Sequence, residues 1–395
     1  MRSVFIHIIL RFGLSLALWS GLGGVVAQAS EFQLADTCPP GFLLVEPNQC
    51  ELRNLYQLYP SLQNSGVGGL KSGVPDIREG FSPQQIDLGR LMFFDPLLSA
   101  DSSVSCASCH HPDMGFSDGR DRSIGIENQV INRSAPSLWN VGFLRRLFWD
   151  GRASSLEEQI QGPLYDAKEM GNNPAHLLTS LNNNTHYVDL FQQAFAGSQG
   201  ISLDQIYTAL AAFEASLISL NSRYDQYAHG YADALSKNEI EGLNVFRSFV
   251  ARCSECHTPP LFTNQEMAVI GTPDTDGMPF DTGQAAITGD ASQRGSFKVP
   301  SIRNIALTAP YMHSGKFTSL RDTVEFYTLG RGHAVPEGES LNIHWHIWEP
   351  KLSDRELDQI VEFLQTLTDE SLKPMTPKEV PSGLKPFGIN PIEGA

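Results

Sequence analysis

The sequence predicts a mostly helical protein. Four segments begin with a serine that is followed by apolar residues at helical spacing, and we predict that three of these serines form a capping box with the Glu or Gln three residues later. Runs in which apolar and polar residues alternate, as they do in strands, are scarce. Long segments that contain Gly and Pro separate the helices. We therefore expect an all-α fold with long loops and little β-structure.

The predicted helices follow in chain order. The first opens at Ser82 and ends before Pro96. The capping boxes of the other three pair Ser202 with Gln205, Ser236 with Glu239, and Ser353 with Glu356. The apolar positions that share a face of these helices are Ile86, Leu88, Leu91 and Met92; Ile206, Ala209, Leu210, Phe213 and Leu217; Ile240, Leu243 and Phe246; and Leu357, Ile360, Val361, Leu364 and Leu367.

The composition excludes several classes of protein. The chain has 395 residues, of which 41% are hydrophobic and 18% are charged, and this suits two or three folded domains better than a disordered chain. Lys and Arg number 28 against 44 Asp and Glu, which gives a formal charge of -16. Nucleic-acid binding depends on cations that neutralise phosphates, so we expect no nucleic-acid partner.

The N-terminus has the pattern of a secretory signal peptide. Arg2 and Arg11 precede an apolar stretch at 12–26, and the small residues at 27–29 close it. We expect cleavage after Ala29 and export to the periplasm, with a retained membrane anchor as the alternative. No later segment approaches the roughly 20 apolar residues of a spanning helix, so we expect the mature protein to have no membrane span.

Two of the six cysteines, Cys38 and Cys50, bracket turn residues near the N-terminus. Export makes disulfides possible, and the other four cysteines have a different use. We therefore interpret Cys38–Cys50 as a disulfide that staples an N-terminal extension. Two free thiols are the alternative.

The remaining cysteines form two Cys-x-x-Cys-His motifs, at 106–110 and 253–257. This is the attachment pattern of c-type haem, in which two thiols bond to the vinyl groups and the adjacent His reaches the iron. A zinc site would need four converging Cys or His ligands, and a thioredoxin-like motif needs no following His. We expect two covalent haems. Their predicted attachment residues are Cys106, Cys109 and His110 for the first haem, and Cys253, Cys256 and His257 for the second.

The two motifs divide the chain into similar units, each with an amphipathic helix, the motif, a loop region and further helices. We expect two cytochrome c-like haem domains packed together. The predicted bounds are 1–29 for the signal peptide, 30–80 for the extension, 81–235 and 236–372 for the two haem domains, and 373–395 for a Pro-rich tail. We expect the tail to lie along the surface without regular structure.

Three longer segments resemble one family. They are CASCHHPDMGFSDGR at 106–120, SAPSLWNVGFLRRLFWDGR at 134–152 and FKVPSIRNIALTAPYMH at 297–313. In this order they resemble segments of the bacterial di-haem cytochrome c peroxidases and the related MauG enzyme. The resemblance extends over about 81–367 and implies an oxidoreductase that uses hydrogen peroxide. It implies that the His110 haem reacts with peroxide and that the His257 haem transfers electrons.

The resemblance also implies roles for three residues near these haems. It places Trp149 between the haems as an electron relay, and it matches Gln159 and Glu169 to the family's distal Gln and Glu. A carboxylate beside an open haem suits peroxide cleavage, because a proton must move from one oxygen to the other. Judged by residue type alone, a core tryptophan and a glutamate on a solvated helix face are the alternatives.

The sequence departs from the peroxidase pattern at the first haem. Many members carry a His over this haem, and its offset from Ser134 falls on Ile126. No His occurs at 112–175, and the adjacent Glu127 is the alternative ligand. We therefore expect the His110 haem to lack the usual blocking ligand.

A second departure concerns the other haem. Peroxidases carry a Met ligand there, and its offset from His313 falls on Tyr327, as in MauG. Leu320, Val324 and Tyr327 share a helical face, which fits an inward-pointing ligand and a packed core tyrosine equally. The rival ligands are Met312, Met267 and Met278. A phenolate oxygen would stabilise higher oxidation states of iron better than a thioether.

Two further features complete the predicted sites. Thr308 and Pro310 match carbonyl ligands of the family's calcium site, although Ser134 replaces its side-chain amide ligand. His-Trp-His at 344–346 is either a metal-binding pair or a surface loop.

The predicted function has two forms. The enzyme either reduces peroxide with electrons from a small periplasmic redox protein, or oxidises a Trp or Tyr side chain of a partner protein as MauG does. Tyr327 and the missing His favour the second form. A di-haem electron carrier without catalysis is the alternative from a different class.

Overall fold

The computed structural model describes residues 32–53, 73–330 and 332–387. The predicted signal peptide at 1–29 lies outside the described residues, as do parts of the predicted extension and the end of the tail. The described chain is mostly helical with two small antiparallel sheets, which confirms the predicted fold class. None of its helices is both long enough and apolar enough to cross a membrane.

The helices are joined by long connections that contain short 3-10 turns. In chain order they are α1 (Pro83–Phe93), α2 (Cys106–Cys109), α3 (Leu156–Tyr165), α4 (Pro174–Asn182), α5 (Thr185–Ala194), α6 (Leu203–Ala215), α7 (Arg223–Ala228), α8 (Lys237–Phe246), α9 (Cys253–Cys256), α10 (Ala285–Thr288), α11 (Leu320–Phe326) and α12 (Asp354–Gln365). The strands are β1 (Phe42–Val45), which pairs with β2 (Gln49–Leu52), and β3 (Met267–Val269), which pairs with β4 (Ser296–Lys298).

The predicted capping boxes at Ser202, Ser236 and Ser353 are confirmed, and Ser82 forms another with Gln85. In each box the serine hydroxyl accepts a backbone N–H, so one of the unpaired donors at the start of the helix is satisfied.

The prediction that Leu217 and Leu367 continue their helices is wrong. α6 ends at Ala215 and α12 ends at Gln365. The hydroxyl of Ser216 donates to the carbonyl of Phe213, and that of Thr366 donates to the carbonyl of Phe363, both at 2.7 Å. These side chains bond carbonyls that a further helical turn would use. Both leucines are still buried.

Each half of the described chain contains a helix crossing at a glycine. α1 packs on α6 at Gly89, and α8 packs on α12 at Gly242. A Cβ on Gly89 would lie 1.8 Å from the carbonyl oxygen of Ala209, and a Cβ on Gly242 would lie 1.9 Å from that of Gln359. Both crossings therefore require glycine. The Cys-x-x-Cys-His motif follows α1 in the first half and α8 in the second.

The buried apolar side chains of the described residues form two cores. The first core contains Phe93 of α1 and Phe213 of α6, and the second contains Phe246 of α8 and Phe363 of α12. The second core also takes in Tyr224, which precedes the predicted domain boundary. The boundary at 235/236 stays a prediction.

The extension and the tail both pack on the first core. Phe42 of β1 and Val380 of the tail are buried in it. The hydroxyl of Ser382 also donates to the carboxylate of Asp95 at 2.7 Å. The described part of the tail thus has no helix or strand, as expected, but it is anchored rather than merely lying along the surface. A disulfide joins Cys38 to Cys50 of β2 in the extension.

Candidate functional site

The two Cys-x-x-Cys-His motifs adopt the same local structure. Each Cys-x-x-Cys forms a single helical turn, α2 or α9, and the backbone N–H of the following His closes it. His110 donates in this way to Cys106 at 3.0 Å, and His257 donates to Cys253 at 2.9 Å. The four cysteines are free thiols. Each motif therefore presents two thiols and an imidazole from one turn of chain.

Both imidazoles are held by the same kind of hydrogen bond. Nδ1 of His110 lies 2.9 Å from the carbonyl oxygen of Phe116, and Nδ1 of His257 lies 3.2 Å from that of Phe262. A proton on Nδ1 leaves Nε2 as a free base, which is the form that binds a metal. Burial lowers the pKa of both His110 and His257, and this also favours the neutral ring.

A repeated Pro-Ser-x-x-Asn sequence, at 136–140 and 300–304, supports these carbonyl groups. The hydroxyl of Ser137 donates to the carbonyl of Gly115 at 2.7 Å, and that of Ser301 donates to the carbonyl of Leu261 at 2.6 Å. Each of these carbonyls directly precedes the phenylalanine that binds the histidine. This repeat was not among the features predicted from the sequence, although the two matching pentapeptides are visible in it.

The asparagines of the two repeats bond to one residue. Ser219 exchanges two hydrogen bonds with the side chain of Asn140, each 2.9 Å long, and its hydroxyl accepts from Nδ2 of Asn304 at 2.7 Å. All three residues are buried. Because each repeat also supports its own histidine, Ser219 links the two motifs through a short series of hydrogen bonds.

Two cavities lie beside the motifs. The His257 cavity, of about 240 Å³, is lined by Cys253, Cys256 and His257. The His110 cavity, of about 580 Å³, is lined by Cys109 and His110. Paired free thiols, a neutral imidazole with an available Nε2 and an adjoining cavity are what a covalently attached haem requires. The residues present at both motifs therefore fit the group.

The predicted acid–base residue, Glu169, and the predicted orienting residue, Gln159 on α3, both lie in the wall of the His110 cavity. Burial raises the pKa of Glu169 to about 7, with Asp166 raising it further and Arg152 lowering it. A carboxyl group with this pKa can both release and accept a proton near neutral pH.

No second histidine lines the His110 cavity in the described part of the chain. Ile126 is buried and Glu127 is exposed, and neither lines this cavity. The backbone N–H of Ile126 instead donates to the carbonyl of Glu169 at 2.9 Å. Met278, predicted as a rival ligand of the second haem, lines the His110 cavity and is 38% exposed.

Tyr327 lines the His257 cavity together with Met312. It follows the last residue of α11, and burial raises its pKa well above the ordinary value. Met267 does not line this cavity, and its sulfur lies against Gly151. Tyr327 and one rival, Met312, therefore line the same cavity as His257.

Trp149 lines both cavities. Its indole N–H donates to the carbonyl of Ser134 at 2.9 Å, which fixes the ring between the two motifs. The next residue, Asp150, is buried and accepts from Arg133 at 2.6 Å and Arg152 at 2.7 Å. These charged hydrogen bonds hold the turn that carries the indole.

Lys298 at the end of β4 was not singled out from the sequence. It lines both cavities, and its backbone N–H donates to the carbonyl of Trp149 at 2.7 Å. Its side chain is buried, and burial alone lowers its pKa to about 8. Sequence alone does not reveal this position, because a lysine in a short strand usually points to solvent.

The remaining predicted ligands lie near the second motif. Thr308 and Pro310 both line the His257 cavity. His346 lies with its Nε2 2.8 Å from the Glu255 carboxylate, and Trp345 beside it is exposed. Within the described residues, no group of three or more His, Cys, Asp or Glu side chains is arranged to hold a metal ion.

Comparisons with known proteins agree with this arrangement. Residues 83–233 match the profile of a family described as di-haem cytochrome c peroxidase. Cytochrome c551 peroxidase of Nitrosomonas europaea is 35% identical over 312 residues, which are 78% of this chain and 85% of that protein. Methylamine utilization protein MauG of Methylorubrum extorquens is 34% identical over 289 residues, which are 73% of this chain and 79% of that protein.

Solved structures share the fold. A crystal structure of a MauG-like protein associated with microbial copper homeostasis matches with a TM-score of 0.70 and 32% identity, over 78% of this chain and 97% of that one. The di-haem peroxidase BthA of Burkholderia thailandensis matches with a TM-score of 0.64 and 27% identity, over 81% and 96% of the two chains. The mostly helical fold with two attachment motifs is therefore a known one.

Proposed function

Because the chain belongs to the di-haem cytochrome c peroxidase family, we propose that it is a periplasmic enzyme that holds two covalent c-type haems and uses hydrogen peroxide as its oxidant. Cys106, Cys109 and His110 would hold one haem, and the second motif would hold the other. Haem supplies an iron that binds small oxidants and exchanges single electrons.

The His110 cavity is the proposed peroxide site. The observation that carries this assignment is that Glu169 and Gln159 line the same cavity as His110, while no second histidine does so among the described residues. The Glu169 carboxylate would take a proton from one peroxide oxygen and return it to the other, which leaves as water when the O–O bond breaks. The two electrons that this cleavage requires would come from the bound haem. The Gln159 amide can donate a hydrogen bond and so orients the peroxide.

Trp149 is the proposed connection between the two sites. Its position in the wall of both cavities, with its indole N–H fixed on Ser134, supports this role. An aromatic ring held between two redox centres shortens the distance that an electron must cross through the protein.

Tyr327 is the proposed second ligand at the His257 site. Its half-buried position in the wall of the same cavity as His257 supports this role, and Met312 is the rival. A tyrosine here favours MauG-type oxidation of a partner protein's Trp or Tyr over the reduction of peroxide with electrons from a small redox protein.

One assay separates these two roles. The protein is given peroxide together with a reduced monohaem cytochrome c or a reduced cupredoxin, and oxidation of the donor is followed over many turnovers. The MauG-type role predicts that the donor is oxidised slowly, although peroxide alone reacts with the protein. Fast and sustained oxidation of either donor would assign the peroxidase role instead.

We also propose a calcium ion bound by the carbonyl oxygens of Thr308 and Pro310. Calcium prefers such oxygen ligands and accepts water in the remaining positions. The support for this site is that both positions match carbonyl ligands of the family's calcium site. Removal of calcium with a chelator should then change the spectrum of the protein, and readdition should restore it. A spectrum that is unchanged by both treatments would exclude the calcium site.

A di-haem electron carrier without catalysis is the second candidate. The buried, apolar surroundings of the His257 site would suit electron transfer alone. Low-spin EPR signals from both haems, together with no spectral response to peroxide, would establish it. The position of Glu169 in the His110 cavity, with its raised pKa, favours the enzyme.

A further inference from the structure

Lys298 has a position that the peroxide chemistry leaves unexplained. It is 9% exposed and lines both the His110 and the His257 cavity. The other residues shared by the two cavities carry no charge; they are Ser134, Ala135, Pro136, Ser137, Leu144, Trp149 and Pro300. The positive charge that the two sites share is therefore that of Lys298, as far as the described residues extend.

The ammonium group of Lys298 has no carboxylate partner among the described residues. Burial is the cause of its lowered pKa, and no neighbouring charge opposes it. Five acidic residues line the His110 cavity. Asp150 and Asp281 pair with Arg133, and Asp274 pairs with Arg122. Asp166 and Glu169 form no ion pair with Lys298, whose pKa is lowered by burial alone. Burying an ammonium group without an anion costs free energy, so a charged lysine at this position requires an anionic partner.

The backbone around Lys298 fixes this position. Lys298 pairs with Met267 across the β3–β4 sheet, and its N–H donates to the carbonyl of Trp149. The neighbouring Phe297 stacks on the buried ring of His313 with 3.7 Å between ring centroids. The side chain therefore leaves the backbone at the junction of the two cavities and beside the proposed electron path.

We propose that the Lys298 ammonium binds a haem propionate carboxylate at the junction of the two cavities and holds positive charge between the two haems. This inference rests on the proposed haem attachment. The propionates are the anionic groups of haem, and ammonium–carboxylate pairing is strong where water is excluded. Hydrogen peroxide is uncharged near neutral pH, so it gives no comparable reason for a buried cation.

The pair should affect the reduction of the haems. Reduction adds negative charge, so a nearby cation favours the reduced form and raises the reduction potential. If lysine is replaced by an uncharged residue, the propionate charge is left unbalanced, and the potential of the nearer haem should fall.

The test is a spectroelectrochemical titration of the holoprotein. We expect Lys298→Met to lower the equilibrium constant for reduction of at least one haem by about tenfold or more, which is about 59 mV for one electron. Lys298→Arg keeps the charge and should shift the potential much less. Lys237→Met is the control, because that lysine is 90% exposed and its charge lies outside both cavities.

Several results would overturn the proposal. One is the same potentials in Lys298→Met as in the wild type. Another is a difference in potential between Lys298→Met and the wild type that disappears as chloride is added. That result would mean that the ammonium binds a diffusible anion and not a propionate. If Lys298→Met does not accumulate with haem, the test is the infrared difference spectrum of Lys298→Arg. A propionate band at the same frequency as in the wild type would contradict pairing of the propionate with residue 298. Haem staining of the wild-type band separates these outcomes from failure of haem attachment itself.

Discussion

The backbone N–H of Ile126 donates to the carbonyl of Glu169 at 2.9 Å. Ile126 occupies the offset at which many relatives carry a blocking histidine, and Glu169 is the proposed acid–base residue of the same cavity. The neighbouring Gly125 packs directly on the carbonyl of Lys168. The segment around Ile126, which in many relatives carries the blocking histidine, therefore holds the backbone of Glu169 in place here.

Covalent attachment of two haems is the first prediction. Denaturing gels should show haem-stained protein, and the mass should exceed that of the polypeptide by two haems. Cys106→Ala and Cys253→Ala should each lower the haem content, because each removes one of the two thiols of a motif. Cys38→Ala is the matched control, since Cys38 forms a disulfide with Cys50 and should not affect pigment. A colourless denatured wild-type band would contradict the assignment.

Loss of the Glu169 carboxylate should slow peroxide turnover. A positioned acid–base group contributes about 10²–10⁴-fold, so we expect Glu169→Gln to lower kcat/KM for peroxide by this factor and to leave the resting spectrum unchanged. Glu127→Gln is the control, because Glu127 is exposed and does not line the cavity. Equal rates in the two variants would show that the Glu169 carboxylate has no part in peroxide turnover.

The same residue sets the expected pH dependence. Burial raises the pKa of Glu169 to about 7, and the ionised form is the one that accepts a proton. Activity should therefore rise about tenfold per pH unit below pH 7 and level off above it. Glu169→Gln should lose this inflection. A wild-type profile that falls through pH 7 as pH rises would mean that the protonated form is the active one.

The features behind these predictions differ in how far they can be inferred from the sequence. The capping boxes and the Cys-x-x-Cys-His motifs are local patterns, so they can be predicted directly from the sequence. Glu169 and His110 lie far apart in the sequence but line the same cavity. Only the resemblance to the family, through its residue spacing, predicted that they would share a site. The burial of Lys298 and the bonds from Ser219 to Asn140 and Asn304 depend on packing between distant segments. No periodicity in the sequence carries that information.

Tyr327 should determine the spectrum of the His257 haem. We expect Tyr327→Phe to change the near-infrared and EPR signals of that haem and to leave those of the His110 haem as they are. Met312→Leu is the comparison, because Met312 lines the same cavity. If the signals follow Met312→Leu instead, or if the wild type shows a methionine charge-transfer band, the tyrosine assignment is wrong.

The glycine crossings should be sensitive to a single methyl group. In Gly242→Ala the new Cβ would lie 1.9 Å from the carbonyl oxygen of Gln359, so the helices must move apart. Overpacking of this kind costs about 1–3 kcal/mol, and the free energy of unfolding should fall by at least that amount. Gly73→Ala is the control, since its Cβ would meet no atom of the described residues within 4 Å. Similar denaturant midpoints for the two variants would argue against a tight crossing.

The most direct test mixes peroxide with the fully oxidised protein in a stopped-flow spectrometer. Because no second histidine lines the His110 cavity in the described chain, we predict that the haem absorption changes promptly, at a rate proportional to peroxide concentration and without prior reduction. The account is contradicted if the spectrum stays constant until one electron has been added, since a residue of this chain must then block the His110 site.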